Sequence, residues 1–427
     1  MREYSEYKDS HIRWIGEVPK HWEVKRLKNS TILNPSFSAQ ITPETIVAYM
    51  PMECLRNGVI QERVAPYKDV AAYTPFQDDD IVMAKVTPCF ENGNIAVAKN
   101  LQSGYGFGTS EIFVIRCKKD TNNQYVFYYL QSDYIKNLGI SSMTGTGGLK
   151  RVNPYVLNNS VLLSPPKTEQ QHIVSFLDEK TAKIDEYIDK KNKEIEALKE
   201  WKKALIAHVV TKGLDTNAKM KDSGVSWIGE IPEHWKVKRL GSAFVENRTL
   251  NSSLEITEAY KFNYGALIRK DEDINPIEMM DTYCKYTCLN VNDIVINGLN
   301  LNYDFVSQRV AKAYAKGIIT SAYLTLTPRE GINPNYYLYL LKSMDSMKLF
   351  HGMGTGIRLT LSYNEIKKQQ ILFPPLVEQQ EIVEYIDAAT TKADKMIVEL
   401  TNHVESMKEY KQRLIADVVT GKINVQP

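Results

Sequence analysis

The residues whose types and spacing best suit chemistry lie in two glycine-rich loops that are followed by cations. Gly145-Thr146-Gly147 precedes Lys150-Arg151, and Gly354-Thr355-Gly356 precedes Arg358. Glycines let a backbone approach a phosphate closely, and a hydroxyl group with a nearby cation can complete the contact. The pattern therefore fits contact with a DNA backbone, but it fits a tight turn between a helix and a strand equally well.

Catalytic motifs are incomplete elsewhere in the sequence. No G-x4-GK[ST] phosphate loop occurs, which excludes a P-loop ATPase. Gly104, Gly106 and Gly108 do not have the spacing of a dinucleotide-binding turn. Asn34-Pro35-Ser36-Phe37 is nearest to the motif that holds a flipped base in methyltransferases, but it lacks the second proline.

Two long predicted helices, 165–213 and 374–421, must position the loops. Each follows a Pro-Pro pair, which blocks helix before it. Their apolar residues recur in the steps of a coiled-coil seam. The predicted seams are Ile173, Leu177, Ile184, Ile188, Ile195, Leu198, Leu205 and Val209 in the first, and Ile382, Ile386, Ala389, Ala393, Met396, Leu400, Met407, Leu414 and Val418 in the second. Because neither helix can bury its seam alone, we expect an antiparallel pair.

The helices belong to a tandem duplication of the whole chain. The segment KDSHIRWIGEVPKHWEVKRL (8–27) returns as KDSGVSWIGEIPEHWKVKRL (221–240), and we call these the two His-Trp segments. Glu169-Gln170-Gln171 returns as Glu378-Gln379-Gln380 near the start of the second helix. The predicted domains are therefore 1–164, 165–213, 214–373 and 374–427.

Between the repeated segments lie variable blocks that read as α+β globules. Predicted strands are rich in Val, Ile, Tyr and Phe and are bounded by Gly, Pro, Asn or Asp; they cover 46–50, 80–86, 94–99, 111–117, 293–299, 309–315 and 322–327. Each block also contains a Tyr-rich predicted helix, 124–138 or 335–350. The predicted fold class is α+β, with two mixed recognition globules separated by two long antiparallel coiled-coil helices and an internal pseudo-twofold duplication.

The duplication also tests candidate catalytic pairs. Asp80 with Lys85 would suit a nuclease, but the matching positions are Asp293 and Gly298. A catalytic set that is complete in neither copy indicates a chain that is not an enzyme. Cys284 and Cys288 could share a helix face as metal ligands, but neither a second pair nor a nearby histidine completes a site.

Length and composition narrow the classes of protein to which this chain could belong. The 427 residues predict more than one domain, and Lys+Arg 53 against Asp+Glu 51 is nearly balanced. No apolar run is long enough to cross a membrane, and the polar N-terminus is unlike a signal peptide. Five cysteines without framework spacing suit a reducing cytoplasm.

Four duplicated motifs, taken together, resemble a known family. They are WIGE-x-P-x-HW, the Gly-Thr-Gly loop, PP-x-x-EQQ-x-IV and LI-x-x-VVT. In this order, and twice, they are similar to the specificity subunit of type I restriction–modification enzymes, and the resemblance covers essentially the whole chain.

The resemblance implies a non-catalytic subunit that reads a bipartite, asymmetric double-stranded DNA target, one half with each globule. The helices would serve as a spacer ruler and as a docking platform for two modification (methyltransferase) subunits, which two restriction subunits then join. No cofactor is expected in this chain; S-adenosylmethionine would bind the modification subunit, and ATP and Mg the restriction subunit.

For DNA contact we select polar and basic residues near strand ends and in the Gly-Thr-Gly loops, because arginine and asparagine can pair with guanine and adenine edges. These candidates are Lys85, Thr87, Asn92, Thr146, Lys150 and Arg151 in the first half, and Asn297, Asn300, Arg309, Thr355 and Arg358 in the second. A plain surface role is an equal alternative for any one of them.

Three rival readings stay open from the sequence. A self-contained DNA methyltransferase is disfavoured by the missing cofactor loop. A coiled-coil scaffold that joins two protein partners without DNA would leave both globules without a basic surface. A methylation-only system would keep the fold but lack a restriction subunit.

Overall fold

The computed structural model describes residues 3–12, 15–146, 148–270, 276–356 and 359–426. The chain forms two compact units. Unit 1 comprises Met1–Asn192 with Asn402–Pro427, and unit 2 comprises Lys193–Thr401. The first long helix is Lys167–Lys212 and the second is Leu376–Val419, so each long helix begins in one unit and ends in the other. The domain boundaries predicted from sequence lie at the helix ends and remain a prediction.

Unit 1 is built on two four-stranded sheets. The first is antiparallel, in the order Ile95–Val97, Ile81–Ala84, Ile112–Cys117 and Thr31–Leu33. The second has the order Arg63–Pro66, Ile46–Met50, Tyr105–Gly108 and Thr74–Gln77, and its two central strands are parallel. Two-stranded pairs join Tyr7–Asp9 with Glu17–Pro19, Glu23–Arg26 with Val161–Ser164, and Leu55–Arg56 with Val59–Ile60.

Unit 2 has one four-stranded antiparallel sheet among its described residues, in the order Phe244–Glu246, Leu324–Pro328, Ile294–Ile296 and Val310–Lys312. Two-stranded pairs join Met220–Asp222 with Glu230–Pro232, Lys236–Arg239 with Gln370–Phe373, Tyr260–Asn263 with Ala266–Arg269, and Thr287–Leu289 with Gly317–Ile319. The predicted strands of both blocks are confirmed. Ile46–Met50 has the predicted bounds, Leu324–Pro328 begins later and ends one residue beyond its prediction, and the other strands are shorter than predicted by one to three residues at an end.

The short helices of unit 1 are Leu27–Ser30, Tyr67–Val70, Asn123–Leu130, Asp133–Ser141 and Pro154–Asn158. Those of unit 2 are Pro276–Tyr283, Pro334–Ser346 and Tyr363–Ile366. The prediction of one helix over 124–138 is wrong, because Ser132 adopts an extended conformation with ψ 149° and separates two helices.

The central strand Ile81–Ala84 shows how the sequence forms the core of unit 1. All four of its residues are buried, and alternate side chains point to opposite faces of a strand. Ile81 and Met83 belong to the core that contains the Tyr-rich and long helices, whereas Val82 and Ala84 belong to the core shared with the second sheet. The first sheet therefore separates the helical support from the second sheet.

The long helices pack with opposite directions inside unit 1. Ile173 and Leu177, near the start of the first helix, share one core with Leu414 and Val418, near the end of the second. Lys411 Nζ lies 2.7 Å from the Asp185 carboxylate across this contact. The predicted antiparallel pair is confirmed.

Unit 2 repeats the same contact with the two helices exchanged. Val209, near the end of the first helix, shares a core with Ile382 and Ile386 of the second. Lys202 forms an ion pair with Asp394, which occupies the position that corresponds to Asp185. Ion pairs that flank an apolar seam favour one orientation of the two helices.

One predicted seam residue of the second helix is wrong. The Met396 side chain is 42% exposed, whereas Val404, which the prediction omitted, is 3% exposed. Steps of three and four continue through Ala393, Ile397, Leu400, Val404 and Met407, so Met396 lies one residue outside the seam.

A buried carboxylate joins the first His-Trp segment to the first long helix. Glu169 is 2% exposed. Its Oε1 accepts hydrogen bonds from Tyr4 Oη at 2.7 Å and Trp22 Nε1 at 3.0 Å, and its Oε2 lies 2.7 Å from His21 Nε2. We call this group the first glutamate hub. It explains why His-Trp and Glu-Gln-Gln recur together in the sequence.

The second glutamate hub repeats the first with fewer partners. Glu378 accepts from Trp235 Nε1 at 2.8 Å and lies 2.6 Å from His234 Nε2. Its side chain is 31% exposed. In unit 1, Tyr4 and Gln426 also donate hydrogen bonds to the Glu169 carboxylate. Among the described contacts, Glu378 has no counterpart of either bond, so the first hub is the more enclosed.

The two glutamines after each glutamate hold the Tyr-rich helix. Gln170 Oε1 accepts from the Asn122 backbone N–H at 2.9 Å, and Gln171 Oε1 accepts from Asn122 Nδ2 at 3.0 Å. Asn122 is itself the N-cap of Asn123–Leu130. The matching bonds of unit 2 run from Asn333 to Gln379 at 3.0 Å and to Gln380 at 2.8 Å. All three residues of the Glu-Gln-Gln motif therefore position the globule on the helix.

The far ends of the long helices close on the same His-Trp segments. Gly421, after the second helix, has φ +77°, and a Cβ there would lie 2.3 Å from Pro19. Gly213, after the first helix, has φ +76°, and a Cβ there would lie 3.2 Å from Trp235. The left-handed conformation favours glycine at these helix ends, and at Gly421 the close approach also requires it.

We predict that Glu169→Ala lowers the free energy of unfolding of unit 1 by about 3 kcal/mol, because buried donors lose a charged acceptor. Glu378→Ala is the matched control. It should lower the free energy of unfolding of unit 2 by a smaller amount, since the Glu378 carboxylate is partly exposed. Hydrogen–deuterium exchange resolved by peptide measures both. Equal effects of the two substitutions would contradict the difference in burial.

The first hub should also make unit 1 sensitive to acid. Burial by itself would raise the pKa of Glu169, but hydrogen bonds from Tyr4, His21, Trp22 and Gln426 outweigh it and lower the pKa below its usual range. The resulting stabilisation is complete above the ordinary glutamate pKa of about 4.3 and is lost as the pH falls through the lower folded value. Glu169→Gln should remove this part of the pH dependence.

Candidate nucleic-acid interface

The first Gly-Thr-Gly loop is closed by a short ladder and supported by Thr87. Thr144 and Arg151 exchange backbone hydrogen bonds of 3.0 and 2.9 Å. Thr87 Oγ1 donates to the Gly148 carbonyl at 2.7 Å and accepts from the Lys150 N–H at 3.0 Å. The structure thus brings Thr87 and Lys150 together, with Thr87 as the support and Lys150 exposed.

Arg151 is held by an acidic partner that the sequence did not indicate. Its Nε and Nη2 lie 2.8 and 2.7 Å from the two carboxylate oxygens of Glu111. The hydrogen bond from Arg151 lowers the pKa of Glu111, so the pair stays charged. The Arg151 side chain is 47% exposed, so its guanidinium remains accessible beside Glu111.

Lys85 lies beside this pair. Its backbone N–H donates to the Glu111 carbonyl at 3.0 Å, and its ammonium lies 5.7 Å from the centre of the Phe113 ring. It lines an open hollow with Asn34, Tyr73 and Ser110. Lys85, Thr87, Lys150 and Arg151 therefore form one surface, which we call the unit 1 loop face.

The other two candidates of unit 1 are also exposed. Thr146 lies at the tip of the Gly-Thr-Gly loop, where its carbonyl accepts from the Leu149 N–H at 3.2 Å. Asn92 instead lines a separate hollow with Asn57, Gln131 and Lys136. Asn92 therefore does not belong to the unit 1 loop face.

The second Gly-Thr-Gly loop closes differently. Thr355 and Thr360 exchange backbone hydrogen bonds of 3.1 and 2.9 Å, which makes a tighter loop than the one between Thr144 and Arg151. Gly298, at the position of Lys85, packs so closely that a Cβ would lie 2.8 Å from the Leu361 carbonyl. Thr355 is exposed at the loop. The candidate Arg358 lies outside the described residues, as does Gly147 of the first loop.

Arg309 must be removed from the DNA-contacting candidates. It is 2% exposed. Its Nη1 donates to the Asn297 and Leu299 carbonyls at 3.0 and 2.8 Å, and its Nη2 donates to the Asp304 carbonyl at 2.8 Å. A guanidinium engaged by three backbone carbonyls inside the protein cannot reach a base. It instead fixes the loop between Ile294–Ile296 and Val310–Lys312.

Two further candidates belong to this loop. Asn297 is half-buried, and its side-chain oxygen accepts from the Leu299 N–H at 3.2 Å, so it shapes the loop. Asn300 is exposed at a turn with φ 51° and keeps its side chain available for contact.

The acidic residues that precede the central strands are structural. Asp80 is 1% exposed and accepts two hydrogen bonds of 2.7 Å from Arg116. Asp293 is 0% exposed and accepts from Thr327 Oγ1 at 2.6 Å. Both carboxylates are committed to the sheet, which leaves the considered Asp80–Lys85 nuclease pair without a free carboxylate.

Within the described ranges, no group of three or more His, Cys, Asp or Glu side chains is placed to hold a metal ion. Within the same ranges, no helix combines the length and apolar character needed to span a membrane.

Each unit thus combines a constant helical support with a divergent loop surface, which is the construction of a duplicated recognition protein. A family model described as "Type I restriction modification DNA specificity domain" matches residues 19–197 and 232–406, one match in each copy. The chain belongs to this family of specificity domains.

Named relatives agree with the family match. The chain is 35% identical over 163 residues to the type I restriction enzyme EcoEI specificity subunit of Escherichia coli, a match that covers 37% of this chain and 27% of that protein. The chain thus spans about a quarter of the length of that relative. The MjaVIII specificity subunit of Methanocaldococcus jannaschii is 25% identical over 98% of this chain and 97% of its own length.

Two solved structures share the fold. A chain from a structure of the assembly and conformational transition of the type I R-M system aligns with a TM-score of 0.71 at 16% identity, over 95% of this chain and 99% of that one. The HsdS subunit from Thermoanaerobacter tengcongensis aligns with a TM-score of 0.51 at 16% identity, over 95% and 98%. The predicted fold class is confirmed by these alignments and by the two family matches.

Proposed function

We propose that this chain is the DNA-recognition subunit of a type I restriction–modification complex, and that each unit reads one half of a bipartite target. The observation that carries the proposal is the double family match on two units with the same glutamate hub and different loops. A repeated support with unlike reading surfaces fits an asymmetric target. It does not fit two copies of one half-site.

The proposed DNA contacts centre on the Gly-Thr-Gly loops. In unit 1 they comprise Thr146 and Lys150, with Lys85 and Arg151 beside them on the unit 1 loop face. Lys150 is exposed and lies next to a supported backbone turn, which suits a phosphate contact. In unit 2 they comprise Thr355 and Asn300. Asn92 and Arg358 remain candidates on sequence grounds.

The long helices are proposed to act as a spacer. Each begins in one unit and ends in the other, and the ion pairs Lys411–Asp185 and Lys202–Asp394 join the two helices at matching positions of the duplication. A spacer of this kind would set the number of unread base pairs between the half-sites.

The helices are also proposed to dock two identical modification subunits. Their exposed faces carry large side chains at matching positions of the duplication. Trp201 corresponds to Tyr410, each 46% exposed, and Tyr187 corresponds to Met396, 38% and 42% exposed. Exposed aromatic residues are typical anchors of protein interfaces. Their recurrence in both copies fits one partner bound twice.

In this proposal the chemistry belongs to the partners. S-adenosylmethionine would bind the modification subunit, and ATP and Mg the restriction subunits. This chain would supply sequence selection and geometry.

Co-expression with the modification subunit, followed by genome-wide mapping of methylated adenines, tests the function. We expect a two-part motif that is methylated only when this chain is present. A stable complex without chain-dependent methylation would reject DNA recognition and favour the protein scaffold. Methylation of a motif without a gap would reject the bipartite reading.

Docking can be tested by counting modification subunits in the complex with native mass spectrometry. Trp201→Ala or Tyr410→Ala should weaken one of two sites at least tenfold, since an aromatic anchor contributes about 2 kcal/mol or more. The double variant should lose both partners. Tyr155→Ala, which removes a 72% exposed tyrosine from unit 1, is the control. Full occupancy in the double variant would place docking elsewhere.

The spacer can be shortened by one heptad in each helix, through deletion of 191–197 and 399–405. Both ion pairs lie outside the deleted segments. Each helix loses about 10 Å, so the unread gap should shorten by about three base pairs at 3.4 Å each. Methylation mapping should then return the same half-sites with the shorter gap. Changed half-sites with an unchanged gap would contradict the spacer.

A further inference from the structure

Three strongly exposed apolar side chains of unit 2 lie within four consecutive residues of one loop. Tyr303 is 75%, Phe305 55% and Val306 88% exposed. Exposed apolar side chains at one place mark an interaction site more often than scattered ones do. We call Tyr303, Phe305 and Val306 the apolar tip.

The loop that carries the apolar tip is anchored from inside. The buried Arg309 guanidinium donates to the Asn297, Leu299 and Asp304 carbonyls, and the Arg309 N–H donates to Asp345 Oδ2 at 2.6 Å. The Asp304 carboxylate accepts from the backbone N–H groups of Val306 and Ser307 at 3.0 and 2.9 Å. A fixed loop loses little conformational freedom on binding, which favours affinity.

Phe305 is held so that only part of its ring is available. It stacks on the His351 ring with centroids 4.6 Å apart and an interplanar angle of 21°. His351 Nε2 also lies 3.1 Å from the Asp304 carbonyl. With one face covered, the Phe305 ring cannot enter between two stacked base pairs. It can present its edge, beside the fully projecting Val306.

The apolar tip belongs to the same loop system as the second Gly-Thr-Gly loop. The Leu301 N–H donates to the Leu359 carbonyl at 3.1 Å, and a Cβ on Gly354 would lie 2.9 Å from Leu301 Cδ1. The tip therefore extends the surface to which DNA contact is assigned in unit 2.

Unit 1 has no such tip at the corresponding loop. There the aromatic residue is Phe90, which is 6% exposed and packs so close to Gly139 that a Cβ on Gly139 would lie 2.2 Å from its ring. A contact for a partner that binds both copies would recur in both. A feature confined to unit 2 fits the half-site that only unit 2 reads.

We propose that the apolar tip contacts base-pair edges in the major groove of the unit 2 half-site, with Val306 and the Phe305 edge packed on thymine methyl groups. Apolar side chains recognise thymine through this methyl group. The inference rests on the proposed DNA-recognition function and adds a specificity determinant to it: the unit 2 half-site contains at least one thymine read by its methyl group.

The test uses this chain in complex with its modification subunit and duplexes carrying the mapped target. Replacing thymine by deoxyuridine in the unit 2 half-site removes only methyl groups. The wild-type complex should bind about fourfold more weakly for each contacted methyl lost, since one buried methyl group contributes roughly 0.8 kcal/mol. Val306→Ser should weaken binding to the thymine duplex and reduce the deoxyuridine effect to the part that the Phe305 edge contributes.

Several controls separate the possible failures. Tyr314→Ser changes another side chain of unit 2 that is 74% exposed. It should leave the affinity for the thymine duplex and the affinity for the deoxyuridine duplex unchanged. Deoxyuridine in the unit 1 half-site should affect wild type and Val306→Ser equally. The inference is overturned if Val306→Ser keeps the full deoxyuridine effect, or if it loses the modification subunit instead. Absence of sequence-specific binding by the wild-type complex would overturn the proposed function as well.

Discussion

The interaction on which each unit depends is a glutamate carboxylate that joins a His-Trp segment to the start of a long helix. Glu169 is enclosed and bonded by Tyr4, His21 and Trp22. Among the described residues, Glu378 is bonded by the equivalent His and Trp. A buried carboxylate is costly unless its oxygens are satisfied. The glutamate, histidine and tryptophan must therefore change together or stay together, which accounts for their joint recurrence in sequence.

The two glutamines extend the same constraint to the globule. By bonding to Asn122 or Asn333 they fix the N-cap of the Tyr-rich helix, and that helix packs under the central sheet. Three consecutive side chains thus connect helix, His-Trp segment and globule. The loops at the outer end of the sheet carry none of these bonds. They are free to differ, as the two Gly-Thr-Gly loops do in their closure.

The repeated parts of this fold could be predicted from sequence, because seam spacing, Pro-Pro starts and the duplication are local patterns. Met396 was misplaced because it lies one position from Ile397, and spacing alone does not separate neighbouring apolar residues. The roles of Glu111 and Arg309 could not be predicted. Both depend on which strands become neighbours, and an arginine that binds backbone carbonyls has the same sequence signal as one that binds a base.

Several cations of this chain are engaged or buried within the protein, which bears on how such a chain could recognise DNA. Arg151 is engaged by Glu111, Arg309 is buried, and Lys312 is 7% exposed. With a net charge of +2, these commitments reduce the number of cations available for phosphate neutralisation, from which a large share of DNA affinity derives. Under the proposed function the partners would supply much of that affinity. This chain would then contribute discrimination, for which rigidly held loops matter more than charge.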